Sequence, residues 1–374
     1  MYGQTASEFL QLFMLFGEVA ATSVIACVYL LFRRGNAFAP DVTTSPRLRR
    51  WTLAFFASVA LGHVWYMPVI YLTSEEDILQ ASMFGGMLDF MTIFPFAIMI
   101  LFAMLQDRQR PLWPAFVMVA PLVAGMVYGM VTRSDAIIPV LQAYLLLLGI
   151  GFIIYMVREV RRYGRWLRDN YADLEHKEVR QSFMALTIIL LVFFIYASGF
   201  GGEAYDYIVQ VCGILLICYL LWRVETLSDL TIPKYKPFPI DEDSIPKEDM
   251  ENDSLSQIIR DNISSLLQRH CIGTQLYLQH DLTLSQLAQA IGTNRFYLSR
   301  YFSTQGITYN AYINDLRINN FISRYHEAVK SQQSFTAQEL ASDSGYRSYS
   351  TFSLAFKQRM GQSVTAWMHE MTSN

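Results

Sequence analysis

Hydrophobic positions fill long stretches of residues 2–222, and short polar pieces separate these stretches. Each stretch is about as long as the ~20 residues that a helix needs to cross a bilayer. Backbone groups in hydrocarbon have no water to bond, so helices are the expected structure. We therefore predict a bundle of seven membrane spans, at residues 8–32, 51–72, 82–105, 112–131, 136–157, 181–200 and 205–222. No basic residue precedes Arg33, so we expect the first stretch to be a retained span rather than a cleavable signal peptide.

Basic residues in the connecting loops predict the orientation of the spans, because cytoplasmic loops carry an excess of Lys and Arg. The loop between the second and third spans has no basic residue, and the loop between the fourth and fifth has Arg133. The loops after the first, third and fifth spans hold Arg33, Arg34, Arg47, Arg49, Arg50, Arg108, Arg110, Arg158, Arg161, Arg162, Arg165, Arg168, Lys177 and Arg180. We predict that the N-terminus lies outside and that the C-terminal region is cytoplasmic.

The pattern changes after residue 224, which we take as the end of the membrane domain, residues 1–224. Residues 225–253 carry prolines at 233, 237, 239 and 246 and more acidic residues than lysines, which predicts an extended linker. Residues 254–274 place Leu255, Ile259, Ile263, Leu266 and Leu267 on one face at helical spacing. We predict an amphipathic connecting helix that makes a dimer contact, with packing on the following domain as the alternative.

Residues 275–374 contain two helical pairs of similar pattern. In DLTLSQLAQAIGTNRFYLSRYF, apolar positions at helical spacing lie on both sides of Gly292, and Thr283 is placed as an N-cap. A tight glycine turn between two short helices is typical of a helix-turn-helix, whose second helix enters the major groove. The outward positions of that helix are Asn294, Arg295, Ser299 and Arg300. After a longer helix at residues 309–329, the pattern returns around Gly345 in FTAQELASDSGYRSYSTFSLAFKQRMG.

These motifs, in this order, resemble the C-terminal DNA-binding domain of the AraC family of bacterial transcription regulators. The resemblance covers residues 275–369 and rests on LTLSQLAQAIGTNRFYLSRYF, YINDLRI, the Gly-Tyr pair at 345–346 and FSLAFKQRMGQSVTAW. The wording of TNRFYLSRYF and YINDLRI is similar to members from the Bacteroidetes, a lineage with membrane-tethered members. The resemblance implies a C-terminal domain with two helix-turn-helix units that binds double-stranded promoter DNA. Together with the seven predicted spans and their orientation, it leads us to predict an all-α protein in the bacterial inner (cytoplasmic) membrane.

The resemblance also implies roles for single residues. Phe296, Ser299 and Arg300 fall where the first recognition helix meets bases and phosphates, with Arg295 nearby, and Arg300 could pair with a guanine. In the second unit the exposed start of the recognition helix holds Ser348, Tyr349, Ser350 and Thr351, and backbone contacts are expected from Arg347, Lys357 and Arg359. The sequence departs from the family at Leu354, where many members have arginine, and at Val364, where the closing motif usually has proline.

Ionisable residues within the predicted spans are Asp89, His63 and Glu18. A carboxylate at mid-helix costs about 2.5 kcal/mol or more to insert, so these groups should face the bundle interior. They form a possible intramembrane ligand site or, alternatively, polar contacts that fix helix register. The four cysteines show no metal-site spacing, and we expect no metal, no cofactor and no enzymatic activity.

We therefore predict a one-component regulator in which a membrane sensor controls a cytoplasmic DNA-binding domain. The expected partners are promoter DNA, membrane lipid, a second copy of the chain, and a small-molecule, peptide or membrane-protein stimulus. One alternative is a membrane transporter or membrane enzyme with a regulatory DNA-binding tail. Another is a membrane half that acts only as an anchor.

Overall fold

The computed structural model describes residues 6–33, 35–40, 42–67, 71–197, 202–230, 262–332 and 334–373. The chain divides into two compact units. Unit 1 contains Met1–Tyr163 and His176–Ile232, and unit 2 contains Gly164–Glu175 and Pro233–Asn374. Throughout the described ranges the ordered elements are helices, and β-structure is limited to two isolated bridges.

Unit 1 is built from eight helices within the described residues: α1 Ala6–Phe32, α2 Pro46–Trp65, α3 Glu75–Met91, α4 Ile93–Met104, α5 Trp113–Thr132, α6 Ile138–Asn170, α7 Arg180–Ala197 and α8 Gly202–Thr226. Helix α1 packs against α2 and α8, while α2 packs on α4 and α3 on α5. The last turns of α6, from Gly164 onward, belong to unit 2.

Five of these helical segments are long and apolar enough to cross a membrane, counted over the residues the structure describes. They are Phe13–Phe32, Glu75–Met104, Trp113–Thr132, Ile138–Asn170 and Tyr207–Thr226. Helix α2 starts with the polar residues Arg47, Arg49 and Arg50, and part of the predicted span at 181–200 lies outside the described residues. The number of seven spans therefore stays a prediction.

Two predicted spans differ in form from the helices observed. The span predicted at 82–105 begins earlier, at Glu75, and is broken at Thr92 into α3 and α4. The break has a local cause, since the ring of Pro95 conflicts with the carbonyl group four residues before it, at Met91. The span predicted at 136–157 continues as a helix to Asn170 because Tyr163 and Leu167 extend its buried face.

In the C-terminal part of unit 2 the described residues begin with α9, which is helical at 262–266 and continues as a π-helical turn, Leu267–Ile272. A 3₁₀ turn at Leu276–Leu278 follows. The remaining helices are α10 Leu284–Ala290, α11 Arg295–Thr304, α12 Tyr309–Lys330, α13 Ala337–Asp343, α14 Tyr349–Met360 and α15 Val364–Ser373.

The predicted connecting helix packs on its own domain where the structure describes it. Ile263 and Leu267 are buried in the core beneath α10 and α11, and Leu266 packs against the same core. This part of the apolar face is therefore not available for the dimer contact that we predicted. Leu255 and Ile259, like most of the predicted linker at 225–253, lie outside the described residues.

Candidate nucleic-acid interface

Helix α10 starts at a capping box, as its sequence predicts. The Thr283 side chain accepts a hydrogen bond from the backbone N–H of Gln286 at 3.2 Å, and the Gln286 side chain accepts one from the Thr283 backbone. This reciprocal pair satisfies two donors that a helix start leaves unbonded. The predicted inner face is confirmed, because Leu284, Leu287, Ala288 and Ile291 are all buried.

The turn between α10 and α11 depends on Gly292, whose φ of +75° lies in the left-handed region. Helix α11 then begins at the N-cap Asn294, whose side chain accepts from the Tyr297 N–H at 2.9 Å. Leu298 and Phe302 face the core. The opposite face leaves exposed the candidate contact residues Arg295, Phe296, Ser299 and Arg300.

The second helix-turn-helix unit is built in the same way from different residues. A capping box joins Thr336 and Glu339 at the start of α13, and Ser348 caps α14. Gly345 has a φ of +90° and lies so close to Leu278 that an added Cβ would be 2.8 Å from the Leu278 carbonyl oxygen. The position can therefore hold only glycine without a shift of backbone.

The candidate contact residues of the second helix-turn-helix unit differ in their surroundings. Ser350 and Lys357 are exposed, whereas the Tyr349 ring packs against Phe352 at the edge of the core. Arg347 forms an ion pair with Asp281, with 3.3 Å between Nη1 and Oδ2. Leu354 is 61% exposed, so the apolar side chain that replaces the family's arginine faces outward.

Helix α12 joins the two helix-turn-helix units. Each helix-turn-helix unit has its own hydrophobic core, called here the first core and the second core. Tyr309 and Ile313, near the start of α12, are buried in the first core, and Ile318, Phe321 and Tyr325 are buried in the second core. The 22 residues of α12 correspond to about 33 Å at 1.5 Å per residue. Because α12 contributes to both cores, the two helix-turn-helix units within unit 2 are fixed relative to each other.

Unit 2 also contains a segment that lies far from its other residues in the sequence. Residues 164–175, called here the loop segment, form the end of α6 and the chain that follows it. Ala172 is buried in the first core, and its N–H donates to the Leu282 carbonyl at 3.1 Å. Tyr171 forms an antiparallel bridge with Thr283. Asn310, at the start of α12, donates to the Ala172 carbonyl.

The loop segment is anchored by a buried ion pair. Arg317 on α12 is 0% exposed, and its Nη1 lies 2.7 Å from Oδ1 of Asp173, whose side chain is 5% exposed. The guanidinium also donates to the Tyr277 and Gln279 carbonyls, each at 2.8 Å. Such a pair contributes little net stability, but removing one partner leaves an uncompensated buried charge that costs about 3–5 kcal/mol.

Two residues of the loop segment, Asn170 and Glu175, contact the starts of both recognition helices. Asn170 Oδ1 accepts a hydrogen bond from Arg295 Nη2 at 2.5 Å. Glu175 Oε2 accepts one from the Thr351 hydroxyl at 3.2 Å. Two of the side chains that we predict to contact DNA are thus already bonded to a segment of the same chain.

Burial changes the acid–base behaviour of two groups in the first core. It raises the pKa of the Cys271 thiol to about 11 and raises the pKa of the Tyr309 phenol well above its usual value. The Tyr309 hydroxyl therefore stays a neutral donor, and it bonds the Leu282 carbonyl at 3.1 Å. The Cys271 thiol is expected to react slowly with alkylating reagents, since the thiolate is the nucleophile.

The candidate intramembrane site lies entirely in unit 1. Asp89 Oδ2 accepts from the Tyr66 hydroxyl at 3.1 Å, while Oδ1 lies beside the Trp65 indole without a well-formed hydrogen bond. His63 Nε2 is 3.2 Å from Gln210 Oε1. Glu18 is exposed on α1, and no described contact joins it to the other two residues.

The loop segment is the feature that the sequence prediction missed, although a signal for it is present. Arg317 continues the buried stripe of α12 from Tyr309 and Ile313 at helical spacing, which predicts a buried arginine in need of an acidic partner. The stretch DNYADLE, at 169–175, supplies acidic residues within an otherwise basic loop. Elsewhere, the described residues contain no cluster of three or more His, Cys, Asp or Glu placed to hold a metal ion.

Comparison with known protein families agrees with this geometry. A family model described as a helix-turn-helix domain, of the AraC type, matches residues 287–370. The match includes α11, α12, α13 and α14, and it leaves the apolar helices of unit 1 uncovered. Searches of curated proteins and of solved structures give no match. Unit 2 is thus similar to the DNA-binding part of AraC-type transcription regulators.

Proposed function

We propose that this protein is a membrane-bound transcription regulator that binds promoter DNA through unit 2 under the control of unit 1. The observation that carries the proposal is the pair of helix-turn-helix units joined by α12, in a region matched by an AraC-type family model. Five helices among the described residues of the same chain are apolar and long enough to cross a membrane.

DNA recognition is assigned to the exposed faces of α11 and α14. Arg300 is the candidate for direct base reading, because a guanidinium can bond two acceptors of guanine in the major groove. Arg295, Phe296 and Ser299 complete the face of α11. In the second helix-turn-helix unit Ser350 and Lys357 are exposed, whereas Arg347 and Thr351 have partners within the chain. This helix-turn-helix unit is therefore assigned mainly to phosphate contacts.

Unit 1 is assigned to the inner membrane, with the N-terminus outside and unit 2 in the cytoplasm. The excess of basic residues in alternate loops supports this orientation. Unit 1 senses a stimulus, and the candidate group for it is the partly buried Asp89, whose Oδ1 is buried and poorly bonded. An ionisable group of this kind is costly inside a membrane and is commonly retained for function.

Two copies of the chain are proposed to act together. From Asp281 onward, eight basic residues face six acidic ones, an excess of two positive charges. So small an excess gives one copy few phosphate contacts, and affinity for DNA rises with the number of phosphates neutralised.

Mapping genomic occupancy by the full-length protein tests this function. We expect enrichment at a limited set of promoters, with the enrichment lost when Arg300 is replaced by alanine. An even distribution over the chromosome, the same for wild type and variant, would count against sequence-specific regulation.

A further inference from the structure

We propose that residues 170–175 are an autoinhibitory clamp: they bind the DNA-contacting starts of α11 and α14, and DNA and the clamp exclude one another. This inference rests on the proposed function and specifies how it is regulated. In the structure, residues 164–175, which include the last turns of α6, are built into the fold of unit 2.

The exclusion follows from shared hydrogen-bond donors. Arg295 Nη2 bonds Asn170 Oδ1 and the Thr351 hydroxyl bonds Glu175 Oε2. A phosphate or base acceptor would compete with the clamp for the Arg295 guanidinium and the Thr351 hydroxyl, at the same ends of the recognition helices. DNA binding and the two clamp contacts therefore oppose each other.

Charge makes Glu175 a stand-in for phosphate. Its carboxylate accepts from the Thr351 hydroxyl in the first turn of α14, a 12-residue helix, where the helix dipole favours an anion. DNA phosphates are expected at the same end of a recognition helix. The carboxylate thus occupies a favourable anion position and repels the phosphate that would take its place.

The ion pair between Asp173 and Arg317 makes the clamp a removable part. If the whole segment leaves, Asp173 returns to water, the cover over Arg317 is removed with it, and the guanidinium keeps its bonds to the Tyr277 and Gln279 carbonyls. Helix α6 is continuous from Ile138, in the apolar part of unit 1, to Asn170, the first residue of the clamp. A displacement of α6 by a stimulus would therefore pull directly on the clamp.

A variant with an engineered disulfide that holds residues 170–175 in place, called here the lock variant, tests the proposal in the full chain. Tyr171 and Thr283 form a bridge, and the Cα atoms of bridged residues are about 4.5–5.5 Å apart, within the range a disulfide spans. Both residues would be changed to cysteine in full-length protein, with Cys27, Cys212 and Cys218 replaced by serine. The probe is a short fluorescent duplex of random sequence at low salt, bound to protein in lipid nanodiscs.

We expect the oxidised protein to bind the duplex at least about tenfold more weakly than the same protein after reduction. The comparison uses one sample in two redox states, so the loss of the Thr283 cap affects both equally. Equal affinity in the two states would overturn the clamp.

A loosened clamp gives the opposite change. Glu175→Ala removes the contact with Thr351, and Glu178→Ala removes the same charge from an exposed position three residues further along. We expect Glu175→Ala to tighten duplex binding at least about fivefold relative to Glu178→Ala. Equal effects of the two variants would mean that charge alone is responsible and would also overturn the clamp.

The same assay separates this inference from the function on which it rests. If the reduced lock variant and wild type bind the duplex but the predicted differences are missing, the DNA-binding function stands and the clamp fails. If no form of the protein binds the duplex at low salt, the proposed function fails, and the clamp fails with it.

Discussion

Arg317 shows how one residue can connect distant parts of a chain. Its neighbours on the buried face of α12 are apolar or aromatic, and its guanidinium lies 5.5 Å from the centre of the Tyr346 ring. A charge in such a place is tolerated only when ion pairing and hydrogen bonds replace its lost water. Asp173, 144 positions earlier, provides the ion pair.

Breaking this pair from one side is expected to destabilise unit 2. Arg317→Met and Asp173→Leu should each lower its stability by about 3–5 kcal/mol, because the remaining charge stays buried without a partner. The double variant should lose less than either single one, since it leaves no buried charge. The readout is alkylation of Cys271, whose buried thiol, with a pKa of about 11, reacts only when the first core opens.

This experiment uses full-length protein with the other three cysteines changed to serine. Similar alkylation rates for wild type and both single variants would show that the ion pair does not hold the core. Additive losses in the double variant would show that the two charges do not interact.

The role of Arg300 in DNA binding can be tested with Lys330 as the matched control position. Both are exposed, but Arg300 lies on the outer face of α11 and Lys330 in the last turn of α12. Arg300→Ala should weaken binding to a cognate promoter by about 1–3 kcal/mol, because a bidentate base contact is lost. Lys330→Ala removes the same charge and should have a much smaller effect. A gel-shift titration with full-length protein measures both, and equal losses would remove Arg300 from the proposed base contact.

At the level of elements, the two glycine turns look alike in sequence but differ in packing. A Cβ at Gly292 would meet nothing within 4 Å, whereas at Gly345 it would meet the backbone of Leu278 at 2.8 Å. Gly292→Ala should therefore cost about 1–2 kcal/mol for the left-handed conformation. Gly345→Ala should cost more because the backbone must also move.

Hydrogen exchange of peptides that cover α10–α11 and α13–α14 in the full chain measures this difference. We expect faster exchange across α13–α14 in Gly345→Ala than across α10–α11 in Gly292→Ala. The reverse order would contradict the close approach to Leu278.

The helices of unit 2 were predictable because their signals are local. Thr283 and Asn294 mark helix starts by their side-chain chemistry, and Leu287, Leu298 and Phe302 mark buried faces by their spacing. The spacing of Arg317 on α12 indicates that it is buried, but no local signal identifies Asp173 as its partner, since that contact depends on tertiary packing across a long sequence separation. For the same reason Ile263 and Leu267 could be assigned to an apolar face but not to the surface that this face covers.

At the level of the whole molecule, the orientation in the membrane decides whether unit 2 can reach DNA. A reporter that is active only in the cytoplasm should be active when fused after Trp222 and inactive when fused after Arg133, which lies in a loop predicted to be outside. Activity at Arg133, or inactivity at Trp222, would reverse or disrupt the predicted orientation. The fusions report on threading alone and do not depend on DNA binding.

The placement of residues 164–175 in unit 2 also bears on proteolytic release. Many tethered proteins are freed by a single cut in the connecting chain, and here such a cut would fall between residues 230 and 262. The severed C-terminal fragment would still be held non-covalently through Asp173, Ala172 and Asn310. Under the proposed function, cleavage would thus leave the C-terminal fragment bound to residues 164–175 until these contacts dissociate.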